Sequence, residues 1–250
     1  MEIVIDGLKI NYKIFGKGKP LLILHGWGSN IDRWSEAAEI IAKKGYKVVI
    51  PDMPGFGKTD VPATTWDIED YIKWLEKFVK TQTGLSKNFN VMGHSFGGAL
   101  ASVYAIKHPT KTKKLFLVAS AGIRKKTPKK TLFANIAHSL KGFKNVPLYS
   151  VARKGFYKFF VGKTDYLNVK ESMKDTYLKV ISRDLSQELH KIKVPTVIIW
   201  GEKDDITPVE DAYFMDKTIK NSKLIMIPDA SHDLNRKQPE ILAKEILNNL

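Results

Sequence analysis

The chain has 250 residues, of which 43% are hydrophobic, and a formal net charge of +15. A chain of this length can bury a large core, and α/β folds of this size commonly form one domain. It contains no cysteine, which excludes disulfides, cysteine metal sites and thiol nucleophiles. Residues 1–6 lack the basic-then-apolar order of a signal peptide, and no apolar run reaches the roughly 18 residues of a membrane span. We therefore expect a cytoplasmic protein without a membrane span.

The positive charge is concentrated in one segment. Residues 122–193 contain 17 Lys and Arg but only 5 Asp and Glu, so this segment carries most of the net charge. A basic segment can attract nucleic acid, an anionic membrane or an acidic partner. No recognised nucleic-acid-binding motif accompanies it, so we do not expect nucleic-acid binding.

The hydrophobic pattern alternates between strand-like runs and segments of helical period. The predicted strands are 2–5, 9–15, 21–24, 47–50, 89–92, 115–119, 196–200 and 224–227, and the predicted helices are 33–44, 68–81, 97–107, 209–217 and 239–250. Several strand runs are continuously apolar, which is typical of strands covered on both faces. The pattern predicts a mostly parallel eight-stranded sheet with helices on both faces, and an antiparallel edge hairpin formed by the first two strands. Asp67 is the predicted N-cap of the second helix, with Asp70 in the capping-box position.

Residues 122–193 interrupt this alternation. They contain helical patterns at 132–140 and 172–183 and no convincing strand, and they fall between two core strands. We therefore predict one core formed by residues 1–121 and 194–250, with residues 122–193 as a basic helical cap over one end of the sheet. Apolar cap residues are expected to supply a hydrophobic substrate pocket: Leu132, Phe133, Phe143, Leu148, Tyr149, Phe156, Tyr157, Phe159 and Phe160.

A serine lies between closely spaced glycines in Gly93-His94-Ser95-Phe96-Gly97. A strand that turns directly into a helix strains the residue at the corner, and glycines on both sides allow the two elements to approach closely. The hydroxyl then stands above the carboxyl edge of the sheet at a helix N-terminus, where developing negative charge is favoured. Ser95 is therefore predicted to be a nucleophile. The alternative, a helix cap, does not require glycines on both flanks.

A serine nucleophile requires a base, and the base requires an acid that fixes its tautomer. The loop after the predicted strand 196–200 contains Asp204 and Asp205, and the loop after strand 224–227 contains His232. Both loops follow parallel strands, so they lie at the same edge of the sheet as Ser95. The order serine, acid, histidine along the chain is the one that this kind of elbow demands.

These segments resemble the α/β-hydrolase superfamily over nearly the whole chain. The matching segments are His25-Gly26-Trp27-Gly28 with Trp34, Asp52-Met53-Pro54-Gly55-Phe56-Gly57, Gly93-His94-Ser95-Phe96-Gly97-Gly98, the loop from Gly201 to Pro208, and His232 followed by Gln238-Pro239-Glu240. The resemblance implies that Ser95 is the nucleophile and His232 the base. It also implies that Asp204 is the acid, with Asp205 as the alternative.

The resemblance extends to the surroundings of the nucleophile. It implies that the backbone N–H groups of Trp27 and Phe96 form an oxyanion hole. His25, Gly26 and His94 are expected at the substrate pocket, where the histidines line or brace the site. The remaining histidines are expected at a helix end or in the cap: His108, His138 and His190.

The activity that the resemblance implies is cleavage of a small to medium carboxylic ester through an acyl-enzyme, without a metal or cofactor. A serine at the elbow argues against the epoxide-hydrolase and haloalkane-dehalogenase branches, which use a carboxylate nucleophile. One alternative is carbon–carbon bond hydrolysis of meta-cleavage products. Another is a methyl ester esterase acting on a pimeloyl carrier protein, because a basic cap suits an acidic carrier. A third is a non-catalytic ligand-binding protein, which an intact triad disfavours.

Overall fold

The computed structural model describes residues 1–81, 85, 88–124 and 171–250. Within these residues, eight strands form one sheet in the order β1-β2-β4-β3-β5-β6-β7-β8. The strands are β1 (Glu2–Ile5), β2 (Leu8–Phe15), β3 (Lys19–Leu24), β4 (Tyr46–Pro51), β5 (Phe89–His94), β6 (Thr112–Val118), β7 (Thr196–Gly201) and β8 (Ser222–Ile227). The β1–β2 and β2–β4 pairs are antiparallel, and the other pairs are parallel. The predicted mostly parallel sheet with an edge hairpin is confirmed.

Helices cover both faces of this sheet. They are α1 (Ser35–Ala42), α2 (Ile68–Thr81), α3 (Phe96–Lys107), α4 (Lys174–Ser182), α5 (Val209–Thr218), α6 (Leu234–Lys237) and α7 (Pro239–Asn249), with short 3₁₀ helices at Asp32–Trp34, Glu171–Met173 and Leu189–Lys191. Buried residues of α2, α3, α4 and α5 share one apolar cluster, and those of α1 and α7 share another. In the described ranges no helix is both long and apolar enough to cross a bilayer.

The continuously apolar strands supply both clusters. On β3, Leu22 and Leu24 belong to the first cluster, whereas Leu21 and Ile23 belong to the second, and all four are fully buried. Successive side chains of a strand point to opposite faces, so a strand with a covered face on each side has no polar positions. Burial of each such side chain contributes roughly 1.5–3 kcal/mol. This is the physical reason why the sequence pattern of these strands is unbroken.

The second helix begins with the predicted cap. The N–H of Asp70 donates to Oδ1 of Asp67 at 3.1 Å, and the N–H of Asp67 donates to Oδ2 of Asp70 at 3.2 Å. This reciprocal pair satisfies donors that the first turn of a helix leaves open. The shorter aspartate therefore closes the capping box in place of the usual glutamate.

The strand that precedes Ser95 is longer than its apolar run. The sequence predicts its end at residue 92, whereas β5 continues to His94 because Gly93 and His94 pair with Leu117 and Val118 of β6. Helix α3 begins at Phe96. Ser95 is therefore the single residue that separates β5 from α3.

The predicted cap is described only at its ends. The helix predicted at 172–183 is present as α4 with the 3₁₀ turn before it. After α4, Leu185, Leu189 and Ile192 are buried in the same apolar cluster as α2 and α3. The predicted helix 132–140, the basic residues 125–130 and the apolar cap residues from Leu132 to Phe160 named above lie outside the described residues, as does His138.

Substitution of a glycine beside Ser95 is expected to destabilise the fold strongly. A Cβ at Gly97 would overlap the carbonyl oxygen of Leu24, the last residue of β3, and lie 2.6 Å from that of His25. We expect Gly97→Ala to lose more than about 3 kcal/mol of unfolding free energy. Urea unfolding followed by circular dichroism measures this loss.

The matched control is Gly45→Ala. Gly45 has a positive φ of +84° but open space around its Cα, so an alanine there costs only the backbone strain of about 1 kcal/mol. Equal losses in the two variants would contradict the close approach of α3 to the end of β3.

Candidate active site

Ser95 has a strained backbone. Its φ of 51° and ψ of −117° lie where side chains are disfavoured, at a cost of about 1–3 kcal/mol. The surroundings hold this conformation, because the N–H of Ser95 donates to the carbonyl of Val118 at 3.0 Å and its own carbonyl accepts from Gly98 and Ala121, each at 2.9 Å. The side chain is half-buried. The hydroxyl is thus presented at the N-terminus of α3 and at the carboxyl edge of the sheet.

The glycines around Ser95 are required by the crossing of strand and helix. A Cβ at Gly93 would overlap the carbonyl of Gly97 and lie 2.6 Å from the nitrogen of Gly98. A Cβ at Gly98 would overlap the side chain of Ser120. Glycines at these positions therefore let the strand and the helix approach closely, as the sequence predicts.

A hydrogen-bonded acid–base pair follows the ends of two neighbouring strands. Asp204 follows β7 and His232 follows β8, and Oδ2 of Asp204 lies 2.9 Å from Nδ1 of His232. The side chain of Asp204 is fully buried. Burial by itself raises the pKa of the Asp204 carboxyl, but hydrogen bonds from His232 and from Thr207 outweigh it and leave the pKa below its ordinary value. The carboxylate is therefore charged beside the imidazole.

The structure distinguishes the two adjacent aspartates. Asp204 is the one that contacts His232, whereas Asp205 is exposed. The loop turns back after Asp204 because its Oδ1 accepts the N–H groups of Ile206 at 2.9 Å and Thr207 at 2.8 Å. A turn of this kind points the first aspartate inward and the second outward.

His94 connects the elbow with the loop that carries His232. Its Nε2 lies 3.0 Å from the carbonyl oxygen of His232, and the two rings are 4.8 Å apart. Burial and the charge of His232 lower the pKa of His94 to about 3. His94 is therefore neutral, with its proton on Nε2 donated to the carbonyl. The residue before Ser95 thus holds the backbone of His232.

The two N–H groups expected at the oxyanion hole are available. Phe96 is the first residue of α3, so its N–H has no partner within the helix. Trp27 lies in the turn after β3, next to Gly28 with its φ of +68°. Among the described residues, neither the N–H of Trp27 nor that of Phe96 donates a hydrogen bond. The two side chains pack edge to face, with centroids 5.4 Å apart.

A cavity of about 220 Å³ opens at Ser95. Most of its lining is apolar, and α4 contributes Tyr177, Val180 and Ile181. The remaining lining residues are Trp27, Ile68, Phe96, Ala99, Ala121, Gly122, Leu185, Ile206 and, as polar groups, Ser95, Arg124, Arg183 and Thr207. These three α4 residues were not predicted from the sequence as lining residues, although their spacing of three and four places them on one helix face.

His25, Gly26 and His94 are not among the described residues that line this cavity. Nε2 of His25 accepts the N–H of Met53 at 3.0 Å, and its Nδ1 lies 2.8 Å from the carbonyl of Gly26. Burial lowers the pKa of His25, so it is neutral. A Cβ at Gly26 would lie 2.9 Å from Nδ1 of His94. Of the two roles expected for the histidines, lining or bracing the site, these packing contacts and backbone hydrogen bonds favour bracing.

Comparison with known proteins shows similarity over most of the chain. Residues 19–156 and 164–236 match the family model described as alpha/beta hydrolase fold. Lipase 1 of Psychrobacter immobilis is 33% identical over 237 residues, which cover 86% of this chain and 71% of that protein. The 2-hydroxy-6-oxo-6-(2'-aminophenyl)hexa-2,4-dienoic acid hydrolase of Metapseudomonas resinovorans is 26% identical over 97% of this chain and 87% of its own length. A thermophilic esterase from Thermogutta terrifontis has the same fold, with a TM-score of 0.76 at 22% identity, covering 99% of this chain and 96% of the esterase.

Proposed function

Because the chain belongs to the α/β-hydrolase fold family, we propose that it is a serine hydrolase that cleaves carboxylic esters through an acyl-enzyme. The observation that carries this proposal is the hydrogen-bonded pair of His232 and Asp204 at the same edge of the sheet as the strained Ser95, whose neighbour His94 contacts the backbone of His232. Strain of this kind persists where the surrounding structure imposes it, and it concentrates at functional sites. The similarity to a lipase supports an ester as the substrate.

In this proposal the three side chains have separate roles. Asp204 accepts the Nδ1–H of His232 and thereby leaves Nε2 as the base. His232 takes the proton of the Ser95 hydroxyl while the oxygen attacks the ester carbonyl. The negative charge that develops on the carbonyl oxygen is stabilised by the N–H groups of Trp27 and Phe96, which are already oriented before the reaction.

The acyl-enzyme is then resolved by the same groups. His232 gives its proton to the departing alcohol, and water takes the place of the alcohol with His232 again as the base. Apart from water and the substrate, these steps use only groups that the chain itself carries. In this proposal the hydrocarbon part of the substrate lies in the cavity at Ser95, against the apolar side chains of its lining such as Ile181.

Hydrolysis of p-nitrophenyl esters from acetate to decanoate tests this proposal. The described cavity of about 220 Å³ is smaller than the roughly 300 Å³ at which pockets for drug-sized ligands begin. We therefore expect kcat/KM to be highest for a short or medium acyl chain and to fall towards decanoate. No hydrolysis of any ester by folded protein would overturn the proposal.

A bulkier residue in the cavity is expected to shorten the preferred acyl chain. Ile181 is half-buried and lines the cavity, so the added volume of Ile181→Phe enters the space next to Ser95. We expect about a tenfold loss of kcat/KM on the longest ester that the wild type accepts well, since one or two methylenes account for roughly 1–3 kcal/mol of discrimination. Acetate hydrolysis is expected to change less than twofold.

The matched control for Ile181→Phe is Lys179→Phe. Lys179 is exposed on the same helix, so its replacement adds the same ring outside the cavity. An equal change of chain-length preference in both variants would contradict the placement of the acyl chain against α4.

Carbon–carbon bond hydrolysis is the second candidate, and the similarity to a dienoic acid hydrolase favours it. Such a reaction can use the same serine and the same acid–base pair. Decay of the absorbance of a 2-hydroxy-6-oxo-dienoate, without hydrolysis of any p-nitrophenyl ester, would replace ester cleavage with this activity. The carrier-protein alternative depends on the basic segment of the cap, where residues 125–130 are not described.

A further inference from the structure

Thr207 contacts both members of the acid–base pair. Its hydroxyl oxygen lies 2.7 Å from Oδ2 of Asp204 and 3.2 Å from Nδ1 of His232. The residue is buried at 8% exposure, and it also lines the cavity at Ser95. No role for Thr207 was predicted from the sequence, because a threonine before a proline is an ordinary loop residue.

The hydroxyl proton of Thr207 points to the carboxylate. A hydroxyl has one proton to donate, and the oxygen acceptors within its reach among the described residues are Oδ2 of Asp204 at 2.7 Å and the carbonyl of Ala119 at 3.3 Å. The charged acceptor at the shorter distance forms the stronger bond. A lone pair of the same oxygen then faces Nδ1 of His232. The hydroxyl therefore donates to the acid and can accept from the base.

Thr207 supplies two of the four hydrogen bonds that Asp204 accepts within the described part of the chain. Its backbone N–H donates to Oδ1 of Asp204 at 2.8 Å, where the N–H of Ile206 also donates, and Oδ2 receives the Thr207 hydroxyl and Nδ1 of His232. Four donors fill the acceptor sites of a carboxylate. With every acceptor site filled, rotation of the carboxylate about its terminal bond would break hydrogen bonds on both oxygens.

Thr207 is itself held by the core. Its carbonyl accepts the indole N–H of Trp200 at 3.1 Å, and Trp200 is a fully buried residue of β7. Asp204 is therefore connected through Thr207 to β7, the strand that precedes the loop carrying both residues. This arrangement places the hydroxyl on a rigid support, as a group that orients another side chain requires.

We propose that Thr207 is a positioning residue, whose hydroxyl fixes the Asp204 carboxylate in the orientation that keeps the His232 proton on Nδ1. This inference rests on the proposed function, because the orientation matters only if His232 acts as the base. Thr207 is then a fourth functional side chain, beside the three whose roles the resemblance implies, Ser95, Asp204 and His232. Thr207 acts through Asp204 and His232 and takes no part in bond making.

The test compares two substitutions of Thr207 on a p-nitrophenyl ester that the wild type hydrolyses. Thr207→Val keeps the shape and removes the hydroxyl, and we expect kcat to fall about 10- to 100-fold, the effect of one hydrogen bond to a charged group. KM is expected to stay within about twofold. Thr207→Ser keeps the hydroxyl and removes a buried methyl group, and we expect it to restore kcat to within about threefold of the wild type.

A purely structural role reverses this order. If only packing matters, the serine variant, which loses the methyl group, is the impaired one and the valine variant is not, and that result would overturn the proposal. Thr112→Val is the matched control, because Thr112 is also buried and, among the described residues, its hydroxyl donates to the carbonyl of His108, away from the site. A similar fall of kcat in Thr112→Val would also overturn the proposal.

A second measurement is independent of turnover. The Nδ1 proton of His232 should give a low-field ¹H NMR resonance in the wild type and in Thr207→Ser, and exchange more rapidly with solvent in Thr207→Val. An unchanged resonance in Thr207→Val would contradict the positioning role even if no ester is hydrolysed. Conversely, absence of ester hydrolysis with the expected change of the resonance would remove the proposed function and leave the hydrogen bond of Thr207 supported.

Discussion

Ser95→Ala is expected to lose at least about 10,000-fold in kcat on p-nitrophenyl esters, while the protein remains folded. The reason is that the alanine has no oxygen to form the acyl-enzyme, so only the oxyanion hole and substrate binding remain to accelerate hydrolysis. Alanine has the same Cβ as serine, so the strained φ of 51° is unchanged. Steady-state kinetics and a urea unfolding curve on the same preparation separate the loss of chemistry from a loss of fold.

The control for Ser95→Ala is a serine in the loop of the base. Ser231 precedes His232, and its hydroxyl accepts a hydrogen bond from the exposed Lys237 at 3.1 Å. We expect Ser231→Ala to keep kcat within about twofold, since a hydrogen bond to an exposed side chain contributes little. More than 1% residual activity in Ser95→Ala, in a preparation free of wild type, would exclude Ser95 as the nucleophile.

Asp204→Asn is expected to lower kcat about 10,000-fold. An asparagine of the same shape presents an amide to Nδ1 of His232 and favours the wrong tautomer of the imidazole, with the proton on the nitrogen that should act as the base. The contact affected is the 2.9 Å hydrogen bond between Oδ2 of Asp204 and Nδ1 of His232. Kinetics over pH 6 to 9 measure the loss, and Asp205→Asn is the matched control because Asp205 is exposed. The reverse ranking of the two variants would make Asp205 the acid.

The same substitution has an expected effect on stability. The pKa of Asp204 in the folded protein lies below its ordinary value of 3.8, so the unfolded chain binds the proton more readily. The charged carboxylate therefore stabilises the fold above pH 3.8 and loses this contribution as the pH falls through the lower folded value. We expect the stability difference between wild type and Asp204→Asn to be largest near neutral pH and to shrink in strong acid, as measured by urea unfolding at each pH.

The elements of the core could be predicted because their patterns are local. The unbroken apolar run of β3 indicates a strand covered on both faces, and the structure places its alternate side chains in two clusters. The reciprocal cap of α2 follows from Asp67 and Asp70 in the same way. The end of β5 could not be predicted, because Gly93 and His94 are strand residues only through their pairing with β6. A ladder of hydrogen bonds to a distant segment leaves no mark in the apolar pattern.

The residues around the candidate site likewise include features that the sequence predicts and features that depend on the tertiary structure. The sequence places Ser95, His232 and the pair of adjacent aspartates after three different strands, and the structure brings Asp204 to His232. The catalytic roles of these residues stay predictions. His25 was expected to line or brace the site, and its ring is hydrogen-bonded to the backbone of Met53 and close to the carbonyl of Gly26. Which way a histidine at a strand end turns depends on partners that come from elsewhere in the chain.

The sequence by itself determined the α/β architecture of this protein, the corner at Ser95 and the loops from which an acid and a base can come, because strand periodicity, glycine spacing and strand ends are properties of neighbouring residues. Only the tertiary structure decided that Asp204 rather than Asp205 faces His232, that the rings of His25 and His94 contact backbone groups, and that the hydroxyl of Thr207 contacts Asp204. The local sequence gives no reason to prefer one of these side-chain arrangements over another. They are made by burial and by hydrogen bonds between segments that are far apart in the chain, and both exist only once the sheet has brought its strand ends together.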